Sequence, residues 1–338
     1  MKRLMTILFV VISLSGCKSA VKTKEPQKSA EETQYDIAWN NDIKWKKYVA
    51  GIQQEFNETK SAETGFKLWS RFESFNPFTG NFQYTKDKIT TKHKIEKYEY
   101  VQIPTRDGLK LDGWFIPVEN AKGTIIVLHG WGSDIDFGLT QSKFLVSLGY
   151  QILVYNARYW NFADNPYDYV GFIANDIEDI GDVITFISAR VDVNTDKLGV
   201  MGFSYGAEKS IIAGAKYKQL KFVMADAAPI NDEPYTEKQF TYIKSLFKGK
   251  SVPSITMAEL DILNAAATIS PRPLMLLHGE KDNSVPLEHS KIILEKAKEP
   301  KEMHTFPASG HCLGMMGSDK EAYFKVVNDF LEKNVNKK

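Results

Sequence analysis

An α/β fold with a mostly parallel sheet of about eight strands flanked by helices is what this sequence predicts. Two observations carry that expectation. From Tyr98 onward short apolar runs alternate with helix-like segments, and a Gly-x-Ser-x-Gly pentapeptide stands at one of the strand-to-helix junctions.

The elements follow in order. Residues 98–104 and 109–117 flank the turn Arg106-Asp107-Gly108 and read as an antiparallel hairpin. Runs at 124–128, 151–155, 198–201 and 222–225 are the next strands, and 274–277 and 302–306 are the last. Between them Ile177, Ile180, Ile184 and Ile187 mark one face of a helix. The chain closes on a helix expected to open with a capping box of Ser318 and Glu321, and to bury Tyr323, Val326, Val327, Phe330 and Leu331 on one side. Residues from 230 to about 266 interrupt the alternation and read as a small cap over the carboxyl edge of the sheet, where such folds bind ligands.

At 338 residues, 25% charged and 43% hydrophobic, the chain is ordinary for a globular protein with one large domain. Its net charge of +1 is too small to suggest a nucleic-acid partner.

The amino terminus is less ordinary. Lys2 and Arg3 precede the apolar run 4–14, then Ser15, Gly16 and Cys17. A basic start, a short apolar stretch and small residues make a secretory signal over 1–16, too short to span the roughly 30 Å of a bilayer core. Leu14-Ser15-Gly16-Cys17 resembles the bacterial lipobox, which implies an exported protein anchored to a bacterial membrane through acyl chains on Cys17. Residues 17–34, poor in large apolar side chains, read as the tether. Residues 35–95, rich in aromatics, read as a helical extension packed on the α/β domain 96–338, with a lid or a partner surface as the alternatives. Only Cys312 remains beside Cys17, so no intramolecular disulfide is expected after lipidation.

The chemistry lies in three segments. Gly202-Phe203-Ser204-Tyr205-Gly206 follows the strand 198–201 and precedes a helix-like stretch. In that context the glycines allow a sharp turn that lifts the Ser204 hydroxyl above the sheet as a nucleophile. A serine needs a base, and the base needs an orienting acid. Asp282 follows the strand 274–277, and His311 lies between the last strand and the final helix, giving the chain order Ser, Asp, His. Glu280 and Asp226 are the rivals for the acid. Among the other histidines, His93, His289 and His304 read as structural, and His278 as a support for the Asp282 loop. The oxyanion donors are expected to be the backbone N–H groups of Tyr205 and of Trp131 in His129-Gly130-Trp131-Gly132. Cys312 reads as an incidental neighbour of the base. No His, Cys or carboxylate cluster has metal spacing and no phosphate loop is present, so neither metal nor cofactor is implied.

Together these residues resemble the α/β-hydrolase superfamily, in its serine esterase and serine-peptidase-like branch, over roughly residues 98–338. The match rests on the 129–132 turn, the 202–206 elbow, the His278–Asp282 stretch with Val285-Pro286, and Gly310-His311. It implies a cap at 230–266 and a small-molecule acyl substrate, with a carboxylic ester expected because relatives with a modest cap most often hydrolyse esters. A serine peptidase or thioesterase shares the triad, and a catalytically silent binding protein is the distant alternative. The sequence departs from the family at 155–160, where Tyr-Asn-Ala-Arg-Tyr-Trp replaces the frequent Asp-x-Arg-Gly.

Overall fold

The computed structural model describes residues 75–76, 81–82, 89–90, 92–131, 133–157, 169–230 and 255–336, all within the unit Asp42–Lys338. The signal and tether with Cys17, Gly132, the stretch 158–168 and positions 231–254 of the expected cap lie outside the described residues.

Two strands, β1 (Phe75–Asn76) and β2 (Asn81–Phe82), pair antiparallel with Phe75 opposite Phe82. The helix expected across 35–95 is therefore corrected at this point. Pro77 and Gly80 between the strands give the reason, since neither sustains a helix interior.

The main sheet has eight strands: β3 (Glu99–Pro104), β4 (Lys110–Ile116), β5 (Gly123–Leu128), β6 (Tyr150–Tyr155), β7 (Leu198–Phe203), β8 (Phe222–Asp226), β9 (Leu274–Gly279) and β10 (Lys301–Phe306). Their spatial order is β10-β9-β8-β7-β5-β6-β4-β3. β3 and β4 form the expected hairpin, β4 joins β6 antiparallel, and every pairing from β6 to β10 is parallel. After β5 the chain steps to β6 on one side and returns as β7 on the other. That reversal opens a crevice outside the carboxyl ends of β5 and β7, the place where open α/β sheets take their ligands.

Helices cover both faces. On one lie α1 (Ile135–Ser142), α2 (Phe144–Ser147) and α8 (Lys320–Asn334); on the other α3 (Tyr169–Ser188), α4 (Tyr205–Lys216), α6 (Ile262–Thr268) and α7 (Leu287–Lys296). The short α5 (Met257–Leu260) precedes α6. Double coverage explains why the parallel strands read as unbroken apolar runs. Ile126 and Leu128 of β5 face the α3/α4 layer, while Ile125 and Val127 face α1 and α8. Ile173, Ile177, Ile180, Ile184 and Ile187 of α3 are all fully buried or nearly so, each stabilising the fold by about 1.5–3 kcal/mol on the usual area scale.

Two expectations are revised. Helix α8 starts at Lys320 with Asp319 at its cap position, and the Ser318–Glu321 box does not form. The Asp319 carboxylate is engaged elsewhere, accepting from Ala308 N–H at 2.8 Å and Ser309 Oγ–H at 2.7 Å. A capping box forms instead at α5, where Thr256 and Glu259 bond reciprocally. Second, the described part of the expected cap is no cover over the carboxyl edge. Ile255, Leu260, Ile262, Ala265 and Ala266 are buried in the α3/α4 layer, so α6 completes that layer against α4 and α7.

Candidate active site

Ser204 sits between β7 and α4 with φ 55° and ψ −121°. A non-glycine residue at positive φ is strained by about 1–3 kcal/mol, and such strain persists only where the surroundings enforce it. Here they do. A Cβ on Gly202 would stand 1.9 Å from the Gly206 carbonyl oxygen, and one on Gly206 would stand 2.1 Å from the Leu128 oxygen. Only glycine lets strand, turn and helix approach this closely. The Ser204 N–H donates to the Asp226 carbonyl at 2.8 Å, which ties the elbow to the end of β8. The Tyr205 N–H lies in the first turn of α4, where backbone donors have no helical acceptor.

The turn after β5 lies against this elbow. A Cβ on Gly130 would be 3.3 Å from both the Ser204 Cβ and the Phe203 oxygen. Trp131, 38% exposed, meets the Tyr205 ring edge-on at a centroid distance of 5.4 Å. His129 holds the turn from beneath: its Nε2 accepts from the Ala157 N–H at 3.1 Å, which leaves Nδ1–H to donate to the Gly130 carbonyl at 2.9 Å. Burial, then the charge of Lys209, lowers the His129 pKa from 6.5 to about 3, so this ring stays neutral in the fold. A depressed pKa contributes stability that is present above the unfolded value and is lost as pH falls towards the folded one. Unfolding midpoints in urea should therefore decline from about pH 6.5 towards pH 3, and His129→Gln, which keeps a donor and an acceptor but cannot titrate, should flatten that decline.

Asp282 and His311 meet as expected. His311 Nδ1 and Asp282 Oδ2 are 2.7 Å apart, with the Asp282 side chain 1% exposed and the His311 ring 28% exposed. Burial alone would raise the Asp282 carboxyl. The hydrogen bonds from His311 and from the Val285 and Ser284 N–H groups outweigh it and hold this carboxyl below its usual range. His278, fully buried, braces the same loop. Its Nε2–H donates to the Val285 carbonyl at 3.0 Å and its Nδ1 accepts from Ser290 Oγ at 2.7 Å. Glu280 is exposed and accepts from Thr305 Oγ–H.

His311 also belongs to a loop anchored at both ends. Asp319 holds Ala308 and Ser309 before it, and Gln141 Nε2 donates to the Cys312 carbonyl behind it at 3.1 Å. Cys312 has φ 53°, and its thiol donates to the Asp226 carbonyl at 3.5 Å and packs on the Ser204 backbone. Cys312 thus ties the His311 loop to the same Asp226 carbonyl that holds the Ser204 elbow. Among the described residues no hydrogen bond joins Ser204 Oγ to His311, and in ligand-free sites that contact commonly tightens only with substrate.

Three features escape sequence reasoning. Asp319 serves the base loop rather than its helix, Tyr323 Oη–H donates to the buried Asp226 carboxyl at 2.8 Å, and Lys209 pairs with Asp176 at 3.0 Å while its Nζ stands 4.5 Å from the Tyr205 ring centroid. Tyr323 carries a signal only as an apolar stripe residue, and Lys209 and Asp176 lie 33 positions apart with no shared pattern. No group of three or more potential metal-ligating side chains occurs among the described residues.

Comparison with known proteins places these features in a family. A model of the prolyl oligopeptidase family, peptidase S9, matches residues 141–338, more than half of the chain. The chain is similar to the protein YfhR of Escherichia coli K12, 25% identical over 262 residues that cover 74% of this chain and 86% of YfhR. Among solved structures it is similar to the α/β hydrolase GrgF of Penicillium sp. sh18, with 20% identity and a TM-score of 0.57 over 72% of this chain and 100% of the other. It is also similar to an esterase of Pyrococcus furiosus, with 22% identity and a TM-score of 0.55 over 73% and 93% of the two chains.

Proposed function

The chain belongs to the prolyl oligopeptidase family and is a hydrolase of the α/β type, and from that premise we propose that it cleaves a carboxylic ester through an acyl-Ser204 intermediate. One observation carries the reading: a strained serine at a strand-to-helix elbow shares the sheet's carboxyl edge with a histidine hydrogen-bonded at 2.7 Å to a buried carboxylate. With Nδ1–H donating to Asp282, the His311 Nε2 is left as the acceptor. It takes the Ser204 proton as Oγ attacks the acyl carbon. The Tyr205 and Trp131 N–H groups stabilise the oxyanion, each worth about 3 kcal/mol in comparable sites. His311 then returns the proton to the departing alkoxide, the alcohol leaves, and water activated by the same ring releases the acid from Ser204.

An ester is favoured over a peptide because the match to the Pyrococcus furiosus esterase runs over 93% of that enzyme, and the exposed edge of Trp131 beside the elbow suits an acyl chain. The family description supports a second reading, a serine peptidase with the same triad. Rates on p-nitrophenyl esters from acetate to palmitate, set beside acylated aminoacyl p-nitroanilides, separate the two. The ester reading expects the larger kcat/KM on an ester; a preference for the anilides replaces it with the peptidase.

The amino-terminal pattern around Cys17 supports export and acylation, which would hold this enzyme at a bacterial membrane surface. Among the described residues no helix is long and apolar enough to cross a membrane.

A further inference from the structure

Lys209 and Asp176 form an ion pair in the interior, with Nζ and Oδ2 3.0 Å apart and both side chains only 2% exposed. Such a pair is a poor way to fill a core, because desolvation cancels most of the attraction and apolar side chains of similar volume stabilise as well or better. The second Asp176 oxygen is buried and makes no hydrogen bond among the described residues, which adds to the penalty. Packing alone gives no reason for two charges at this place, but what they touch does.

Lys209 lies on α4 one turn after Tyr205, and its ammonium stands 4.5 Å from the centroid of the Tyr205 ring, within the range of a cation–π contact. That ring is 2% exposed and meets the Trp131 ring edge-on at 5.4 Å. The contacts therefore run without a break from Asp176 on α3, through Lys209 and Tyr205 on α4, to Trp131 in the turn after β5. Their far end is the turn whose Gly130 packs against Ser204, and Tyr205 and Trp131 are the two residues whose backbone N–H groups serve the oxyanion in the proposed mechanism.

We propose that Lys209, held by Asp176, is a positioning residue for the oxyanion side of the hydrolytic site. Its ammonium fixes the Tyr205 ring, and the ring fixes the Trp131 turn, so that donors from two separate segments keep one common alignment. The inference rests on the serine hydrolase reading above. Lys209 touches no reacting atom, and its influence passes through the two rings. Donors that lose their alignment forfeit most where charge develops on the oxygen and little in the ground state, so the effect belongs in kcat rather than in KM.

The test uses the full-length protein carrying Lys209→Met together with Asp176→Leu. Removing both charges leaves no stranded ion, and the fold should be as stable as the wild type or more so. On a p-nitrophenyl ester kcat should fall by roughly 10- to 100-fold with KM moved by less than about twofold, a loss smaller than that for deleting a donor outright. Affinity for phenylboronic acid, which forms a tetrahedral adduct with a serine nucleophile, should fall by about the same factor as kcat/KM. Tyr205→Leu keeps the backbone N–H and both charges but removes the ring. It should show a similar loss, and adding the charge changes to it should lower kcat little further, as expected for links of one chain. A charge-free variant that retains wild-type kcat and boronate affinity, whatever its melting temperature, overturns the inference. So does a Tyr205→Leu enzyme with wild-type kcat, which decides the matter even if the charge-free variant fails to fold. The hydrolase reading fails separately, if Ser204→Ala hydrolyses the ester as fast as the wild type.

Discussion

Ser204→Ala should remove nearly all turnover while leaving the fold intact. The expected loss is up to about 10⁶-fold in kcat, because nucleophile and base act as a unit and removal of one disables the other. Background catalysis from the Tyr205 and Trp131 donors should remain, since neither depends on the hydroxyl. The backbone at 204 is strained at φ 55° for alanine as for serine, and the Ser204 N–H to Asp226 bond is unaffected. The melting temperature should accordingly stay near that of the wild type. Initial rates on the best p-nitrophenyl ester, with a thermal melt of the same sample, check both halves of the expectation.

Asp282→Asn should cost about 10⁴-fold in kcat. The amide oxygen can still accept from the Ser284 and Val285 N–H groups, which now bond to Oδ1, so the loop keeps its shape. What it loses is the second anionic oxygen, which receives His311 Nδ1–H at 2.7 Å. An amide nitrogen turned to that position would favour the tautomer with its proton on Nε2, where it blocks the Ser204 proton. The carboxyl of Asp282 lies below its ordinary value, so its contribution to stability is present above the unfolded value of 3.8 and is lost as pH falls through the folded one. Asp282→Asn should therefore be less stable than the wild type at neutral pH and approach it in strong acid. Steady-state kinetics with KM resolved from kcat, and urea midpoints against pH, measure the two effects.

Much of this site is legible in the sequence because its determinants are local. The glycines at 202 and 206 announce a close approach that the 1.9 and 2.1 Å clashes now explain. Ser204 and Asp282 each follow a strand that is buried along its whole length, whereas β10 ahead of His311 is a half-exposed edge strand of sequence Lys-Glu-Met-His-Thr-Phe; in a parallel sheet all three strands deliver the residues that follow them to one edge. The sheet was legible for the same reason: two covered faces leave unbroken apolar runs. Local patterns fail where an interaction spans the chain. The sequence reads Ser318 as the cap of the last helix, and only the return of the 308–309 backbone to α8 shows what the neighbouring Asp319 binds. The link between Tyr323 and Asp226 joins positions 97 apart, and no periodicity reports it. Residues 255–266 read as part of a cap because they interrupt an alternation, whereas their apolar side chains complete the helical layer over β8 and β9.

Whether Ser204 is an activated nucleophile is tested most directly by reaction with a fluorophosphonate probe, which needs no knowledge of the substrate. An activated Ser204 gives stoichiometric labelling of the native protein, mapped by peptide mass spectrometry to Ser204, absent in Ser204→Ala and strongly slowed in Asp282→Asn. A native, folded protein that takes no label at Ser204, or that is labelled equally well when Ser204 is alanine, would contradict it.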